Sequence, residues 1–178
     1  LPTLPGLPPL TKDTKNNFTI HLKVAKTDWA EKLLGIPLDT HQTITLDANF
    51  NDNTRQIVAN LDVPSFSYNG HLYERGTVNI SSPLDTLLLQ ASIWSIEDDR
   101  EPFALKVDGH AADNNISFAL AWNNNDAVSP FHGVLNASAE LYRNLSDQSE
   151  AHVRIFPSNV TLRNAQWLIE PSDILYSG

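Results

Sequence analysis

Strict two-residue alternation of apolar and polar side chains runs through most of this chain and restricts its fold more than any other feature. Phe18, Ile20, Leu22 and Val24 are separated by Thr19, His21 and Lys23. The pattern returns at Ile44, Leu46, Ala48 and Phe50, and again at Ile57, Ala59, Leu61 and Val63. It recurs at Ile116, Phe118, Leu120 and Trp122, then at Leu135, Ala137, Ala139 and Leu141. Successive side chains of a strand point to opposite faces, so each run makes a ribbon that is apolar on one side only. An amphipathic helix would instead space its apolar residues three and four apart.

Turn-forming residues punctuate the runs. Asn51-Asp52-Asn53, Asn69-Gly70, Asp98-Asp99, Asp113-Asn114 and the segment from Asn123 to Asp126 each separate two alternating stretches by a few residues. Asn-Gly between two such stretches is a strong hairpin signal, because both residues accept the positive φ of a tight turn. Short hairpins in series make an antiparallel meander, here of ten to twelve strands. One helix is expected at about 28–35: Asp28 caps it, Glu31 stands three residues on, Gly35 ends it and Pro37 prevents its continuation. With Leu33, Leu34, Ile36 and Leu38 close by, this helix is expected to plug one end of the apolar face. Residues 1–16 begin with LPTLPGLPPL, whose prolines exclude helix and central strand, and they read as an extended linker. Residues 17–178 then form a single all-β domain.

The 178 residues carry twelve Lys and Arg against twenty-one Asp and Glu, a net charge of −9. The basic residues are scattered, which argues against nucleic acid as a partner. No cysteine is present, so disulfides, thiolate nucleophiles and Cys-ligated metals are excluded. Methionine is absent too, and the chain reads as a fragment or processed product whose membrane anchor lies elsewhere.

No constellation points to catalysis, a metal or a cofactor. His21, His41, His71, His110, His132 and His152 are too far apart in sequence for a helical or hairpin metal site. Asp47, Asn49 and Asn51 resemble the start of a calcium loop, but Asp52 stands where glycine is required and Val58 where glutamate is. Asp98, Asp99 and Glu101 read as a solvated turn, and Glu74, Asp108 and Glu140 have no spacing that favours a carboxylate pair. The chain is therefore expected not to be an enzyme. Among the aromatic residues, Trp122 and Trp167 share phase with apolar neighbours and are assigned to the core. Trp94 differs: Leu87, Leu89, Ala91 and Ile93 take one face of its strand, leaving Leu88, Trp94 and Ile96 on the other. A strand apolar on both sides is central, covered or a partner surface, so Trp94 is a candidate partner contact.

The order of pieces resembles a portion of the TamB (translocation and assembly module) family, in the form found in Bacteroidetes-like bacteria. The resemblance is carried by Thr27-Asp28-Trp29 with Leu33-Leu34-Gly35-Ile36-Pro37, and by the stretch from Leu61 to Gly70 (LDVPSFSYNG). The segment Val153 to Val160 (VRIFPSNV) and Trp167-Leu168-Ile169-Glu170-Pro171 complete it. The resemblance implies a periplasmic segment of a cell-envelope protein anchored at the inner membrane, related to AsmA-like bridge-type lipid transfer proteins. It implies a sheet curled into a groove that serves phospholipid transport or outer-membrane biogenesis. Phospholipid acyl chains or a nascent outer-membrane protein would be the client. Neighbouring segments of the same protein, and an outer-membrane assembly protein, would be partners. The family offers no catalytic residues and no cofactor.

The residues themselves fit a trough lined by Phe18, Ile20, Leu22, Ile44, Leu46, Phe50, Ile57, Leu61, Ile116, Phe118, Leu120, Trp122, Leu135 and Leu141. A single meander this wide must curl, close into a barrel or sandwich, or expose its apolar side. Alternation alone leaves a dry core and a lipid-wet groove equally open. The competing reading is a closed β-sandwich that binds glycans or a partner protein near Trp94.

Overall fold

The computed structural model describes residues 16–83, 85–96, 102–143 and 149–177. The chain is an all-β meander with one short helix. In order, the elements are β1 (Asn17–Val24), α1 (Asp28–Leu34), β2 (Leu38–Thr40), β3 (Ile44–Asn51), β4 (Gln56–Tyr68), β5 (His71–Ser81) and β6 (Leu87–Ile96). There follow β7 (Phe103–Ala112), β8 (Asn115–Asn123), β9 (Phe131–Arg143), β10 (Ser149–Ile155), β11 (Ser158–Leu162), β12 (Ala165–Ile169) and β13 (Ser172–Ser177). All belong to one sheet, and every pairing is antiparallel.

The thirteen segments form ten rows of strand. Short β2 pairs with the far half of β4 while β3 pairs with the near half, so β2 and β3 are one strand with a break at His41–Thr43. Likewise β10 and β11 both lie along β9, interrupted at Phe156-Pro157, where the register shifts by one residue. Strands β12 and β13 run beside them as the outermost row. Proline stands at two of these three interruptions, Pro157 and Pro171, and removes a ladder donor where the strand must bend.

Three two-residue hairpins have both central residues at positive φ: Asn69-Gly70, Asp113-Asn114 and Arg163-Asn164. This backbone matches the right-handed twist of the strands it joins. The first two were expected from sequence. The third was not, since arginine is a poor occupant of the left-handed region. The loop from Asn124 to Pro130 is fixed by its own side chains. Asn124 Oδ1 accepts from the Phe131 amide, and Asp126 Oδ1 from the amides of Val128 and Ser129. The Asp98-Asp99 turn lies outside the described residues.

The sheet is open and uncurled: β1 and β13 are its two ends and do not meet. Strands pack against their hydrogen-bonded neighbours, and no second layer covers them among the described residues. The expected curl and the closed barrel or sandwich are therefore not what the chain forms by itself. The physical reason lies in the residues available. One meander of one-sided strands supplies one apolar surface, and the described residues hold no second sheet to lay on it. Ala111 and Ala137 are the only described hydrophobic residues that are buried.

Candidate functional site

The register stacks the alternating runs into apolar rows that cross the sheet. One runs Leu22, Leu46, Leu61, Val78, Ala91, Val107, Leu120, Leu135, each opposite the next. A second runs Ile20, Ala48, Ala59, Ile80, Leu89, Gly109, Phe118, Ala137, Ile155. Phe18 and Phe50 stack beside Ile57 at one end, with centroids 5.1 Å apart. Ile116 opposes Ala139 in a further row, and Leu141 opposes Ala151. The fourteen residues expected to line a trough thus share one face. That face is uncovered: Phe18, Leu22 and Phe118 keep 52%, 49% and 40% of their surface in solvent. Monomeric proteins rarely leave a contiguous apolar surface of this size bare.

The face is not uniform. Between β4 and β7 lies a hollow of about 380 Å³ lined by Leu38, Ile44, Leu61, Val63, Phe66, Gly76, Val78, Ala91, Ile93, Leu105 and Val107 among others. Its cause is a bulge in β5. Arg75 takes φ 53°, and the pairing of β5 with β6 shifts by one residue between Glu74 and Thr77. The opposing segment of β4 carries Pro64, and the phase of alternation changes there. Val63 and Phe66, three residues apart, therefore line the same hollow. Phe66 stacks on Tyr73 at 5.2 Å. Beyond the hollow the face carries an aromatic cluster, with Phe131 5.9 Å from Trp122 and 6.1 Å from Phe103. Trp122 lies over Gly133, and its Nε1 is buried without a hydrogen-bond partner.

Sequence reasoning put Ile93 on one face of β6 with Leu87, Leu89 and Ala91, and missed Val78, Leu105 and Val107 of the hollow. Phe103, Leu105 and Val107 do alternate and were readable. Val78 was obscured because the bulge breaks the period in β5.

Helix α1 does not plug the face. Leu33 and Leu34 are exposed, and among the described elements the helix lies chiefly against β2. What holds it is buried Thr27, whose Oγ1 donates to the Leu38 carbonyl and accepts from the Thr40 amide. Trp167 is likewise not core: it opposes Val160 near the outer edge and keeps 58% of its surface exposed.

The opposite face is polar. Trp94 stands there, opposite Glu74 and Ala104, and the Arg75 guanidinium sits 5.9 Å from its ring centre. Its candidate partner surface is thus partly occupied by the chain's own arginine. Glu74, Asp108 and Glu140 stand on β5, β7 and β9, with a whole strand between each two. That spacing, at least about 9 Å, gives no facing carboxylate pair. Lys106 Nζ lies 2.8 Å from Asp108, and this hydrogen bond, chiefly, holds the Asp108 carboxyl below its usual range. His21 pairs with Asp47, His41 with the Ser67 hydroxyl and His152 with Asp173. Among the described residues no three His, Asp or Glu side chains gather to hold a metal ion. Asp98, Asp99 and Glu101 lie outside the described residues. No described helix is long and apolar enough to cross a membrane.

No family model matches the chain, and no curated protein or solved structure is significantly similar to it.

Proposed function

We propose that this chain is a non-enzymatic segment of a TamB-like envelope protein whose apolar sheet face receives phospholipid acyl chains in transit across the periplasm. The observation that carries the reading is the set of apolar rows running unbroken from strand to strand on an uncovered face. Backbone donors and acceptors within the sheet point along its plane to neighbouring strands, so the face itself offers an occupant side-chain hydrocarbon and little else. Such a surface suits a client that needs no hydrogen bonds. Each CH₂ removed from water there contributes about 0.8 kcal/mol. An acyl chain meets that description better than a nascent outer-membrane strand, whose own amides would go unpaired against side chains.

The ends of the sheet fit a role as one unit of a longer assembly. Strand β1 runs eight residues without a bulge, and its apolar side chains reach the edge uncovered. Neighbouring segments of the same protein would pair there. Native mass spectrometry with lipid extraction tests the function on the parent chain, Leu120→Glu on the apolar face and Thr45→Glu on the polar face. Phospholipid held by the parent and by Thr45→Glu, and lost from Leu120→Glu, supports the reading. A lipid-free parent, or lipid retained equally by all three, overturns it.

A further inference from the structure

The bare face carries a hollow and an aromatic cluster placed on either side of its middle. Counting the ten rows from β1, the hollow spans rows two to six and the aromatic cluster spans rows six to eight. The middle of the sheet falls between β6 and β7, so hollow and cluster lie on opposite sides of it at similar distances. They also lie at one height along the strands. Ile93 and Leu105, which line the hollow, continue directly into Trp122, Gly133 and Val160 in the same cross-strand row.

A two-fold axis parallel to the strands exchanges left for right and preserves height. We propose that two copies of this chain pack apolar face to apolar face about such an axis beneath β6 and β7. The aromatic cluster of each copy, Phe103, Trp122 and Phe131, then lies over the hollow of the other between Val63, Phe66, Val78 and Ile93. The interface is isologous and closes on itself, so it yields a dimer and not a filament. The product is a two-layer sandwich built from two chains, with its sheets about 10 Å apart.

The area is sufficient. Ten rows at about 4.8 Å and strands of about eight residues at 3.4 Å give a face of roughly 1,300 Å². A stable complex needs about 800 Å² from each partner. The sheet is also uncurled. An acyl chain lying on it is covered from one side, whereas a second sheet covers every row at once. The dimer concerns the same face as the lipid reading but does not depend on it, and the two are measured separately.

The test is sedimentation velocity of the purified, delipidated chain, with chemical crosslinking of single-cysteine variants. The chain contains no cysteine of its own, so each introduced thiol reports alone. A species of twice 19.8 kDa is expected. In that species Ala91→Cys, beside the axis, is expected to be linked by a short bismaleimide, and Asn60→Cys on the polar face is not. Val107→Glu is expected to sediment as a monomer with the strand signal in circular dichroism retained. Should Val107→Glu unfold, the crosslinking pattern of the two cysteine variants still decides. A monomeric parent overturns the proposal, whether bare or holding residual phospholipid. So does a dimer that links through His21→Cys at the β1 edge and not through Ala91→Cys.

Discussion

The indole of Trp122 lies directly across the backbone of Gly133, its cross-strand neighbour, so closely that a Cβ at residue 133 would stand 2.6 Å from Cζ2. The contact seats the aromatic cluster on the apolar face, because Phe131 packs against the same indole. Gly133→Ala therefore has to displace the ring. A loss of about 1–3 kcal/mol in urea unfolding is expected, with a change in tryptophan emission as Trp122 leaves its seat. Unchanged stability and emission would contradict the contact.

Backbone conformation gives a second expectation. Gly70 turns the β4–β5 hairpin at φ 79°, and Arg163 turns the β11–β12 hairpin at φ 50°. A side chain costs about 1–2 kcal/mol in this region, more so when it is β-branched. Gly70→Val is expected to lower stability by that amount, and Arg163→Gly to raise it by about 0.5–1 kcal/mol. Thermal unfolding of the two variants beside the parent checks both signs.

Arg75 sits at the β5 bulge and covers Trp94 on the polar face. Arg75→Ala removes a cation–π contact of about 0.5–1 kcal/mol. It should leave the fold intact while making the Trp94 indole more accessible to iodide. Equal quenching in parent and variant would mean that the guanidinium does not shield the ring.

Asp108 supplies a pH dependence. Its folded carboxyl titrates below the ordinary value of 3.8, chiefly because Lys106 donates to it. The contribution to stability is therefore present above the unfolded value and is lost as pH falls through the folded one. Both side chains are well exposed, which keeps the effect under about 1 kcal/mol. The stability gap between the parent and Lys106→Met should thus be small at neutral pH and vanish in acid. A gap that widens below pH 4 would reverse the sign.

The long runs were legible because alternation and register agree. Once Leu22, Leu46 and Leu61 are on strands, hairpin pairing puts them in one row, and the Asn-Gly turn fixes where the chain reverses. Legibility failed wherever a single residue breaks the period. Arg75 is invisible as a bulge because nothing in the residue demands positive φ. Pro64 announces an irregularity without saying that Val63 and Phe66 will face the same way. Helix α1 was placed correctly by its caps, but its leucines were assigned to the core on composition, and the buried group proved to be the Thr27 hydroxyl. Openness, too, was out of reach. The same apolar rows would suit a curled, closed or flat sheet, and the difference lies in what stands opposite them, which alternation does not encode.

The two bulges of the sheet bear on how such a chain tolerates change over generations. With a period of two, inserting one residue into a strand exchanges its oily and wet sides for the whole remaining length, while inserting two restores them. Strand length should therefore drift in even steps, with loops such as Asn124–Pro130 free to vary by any number. At Arg75 and at Phe156-Pro157 the register shifts by one residue, and there the fold accommodates an odd residue by bending. A deletion at Arg75 would leave Tyr73 and Val78 an even number of residues apart, so both would face the apolar side without a bulge, and the cost would fall on the opposing strand, whose irregularity at Pro64 would lose its match.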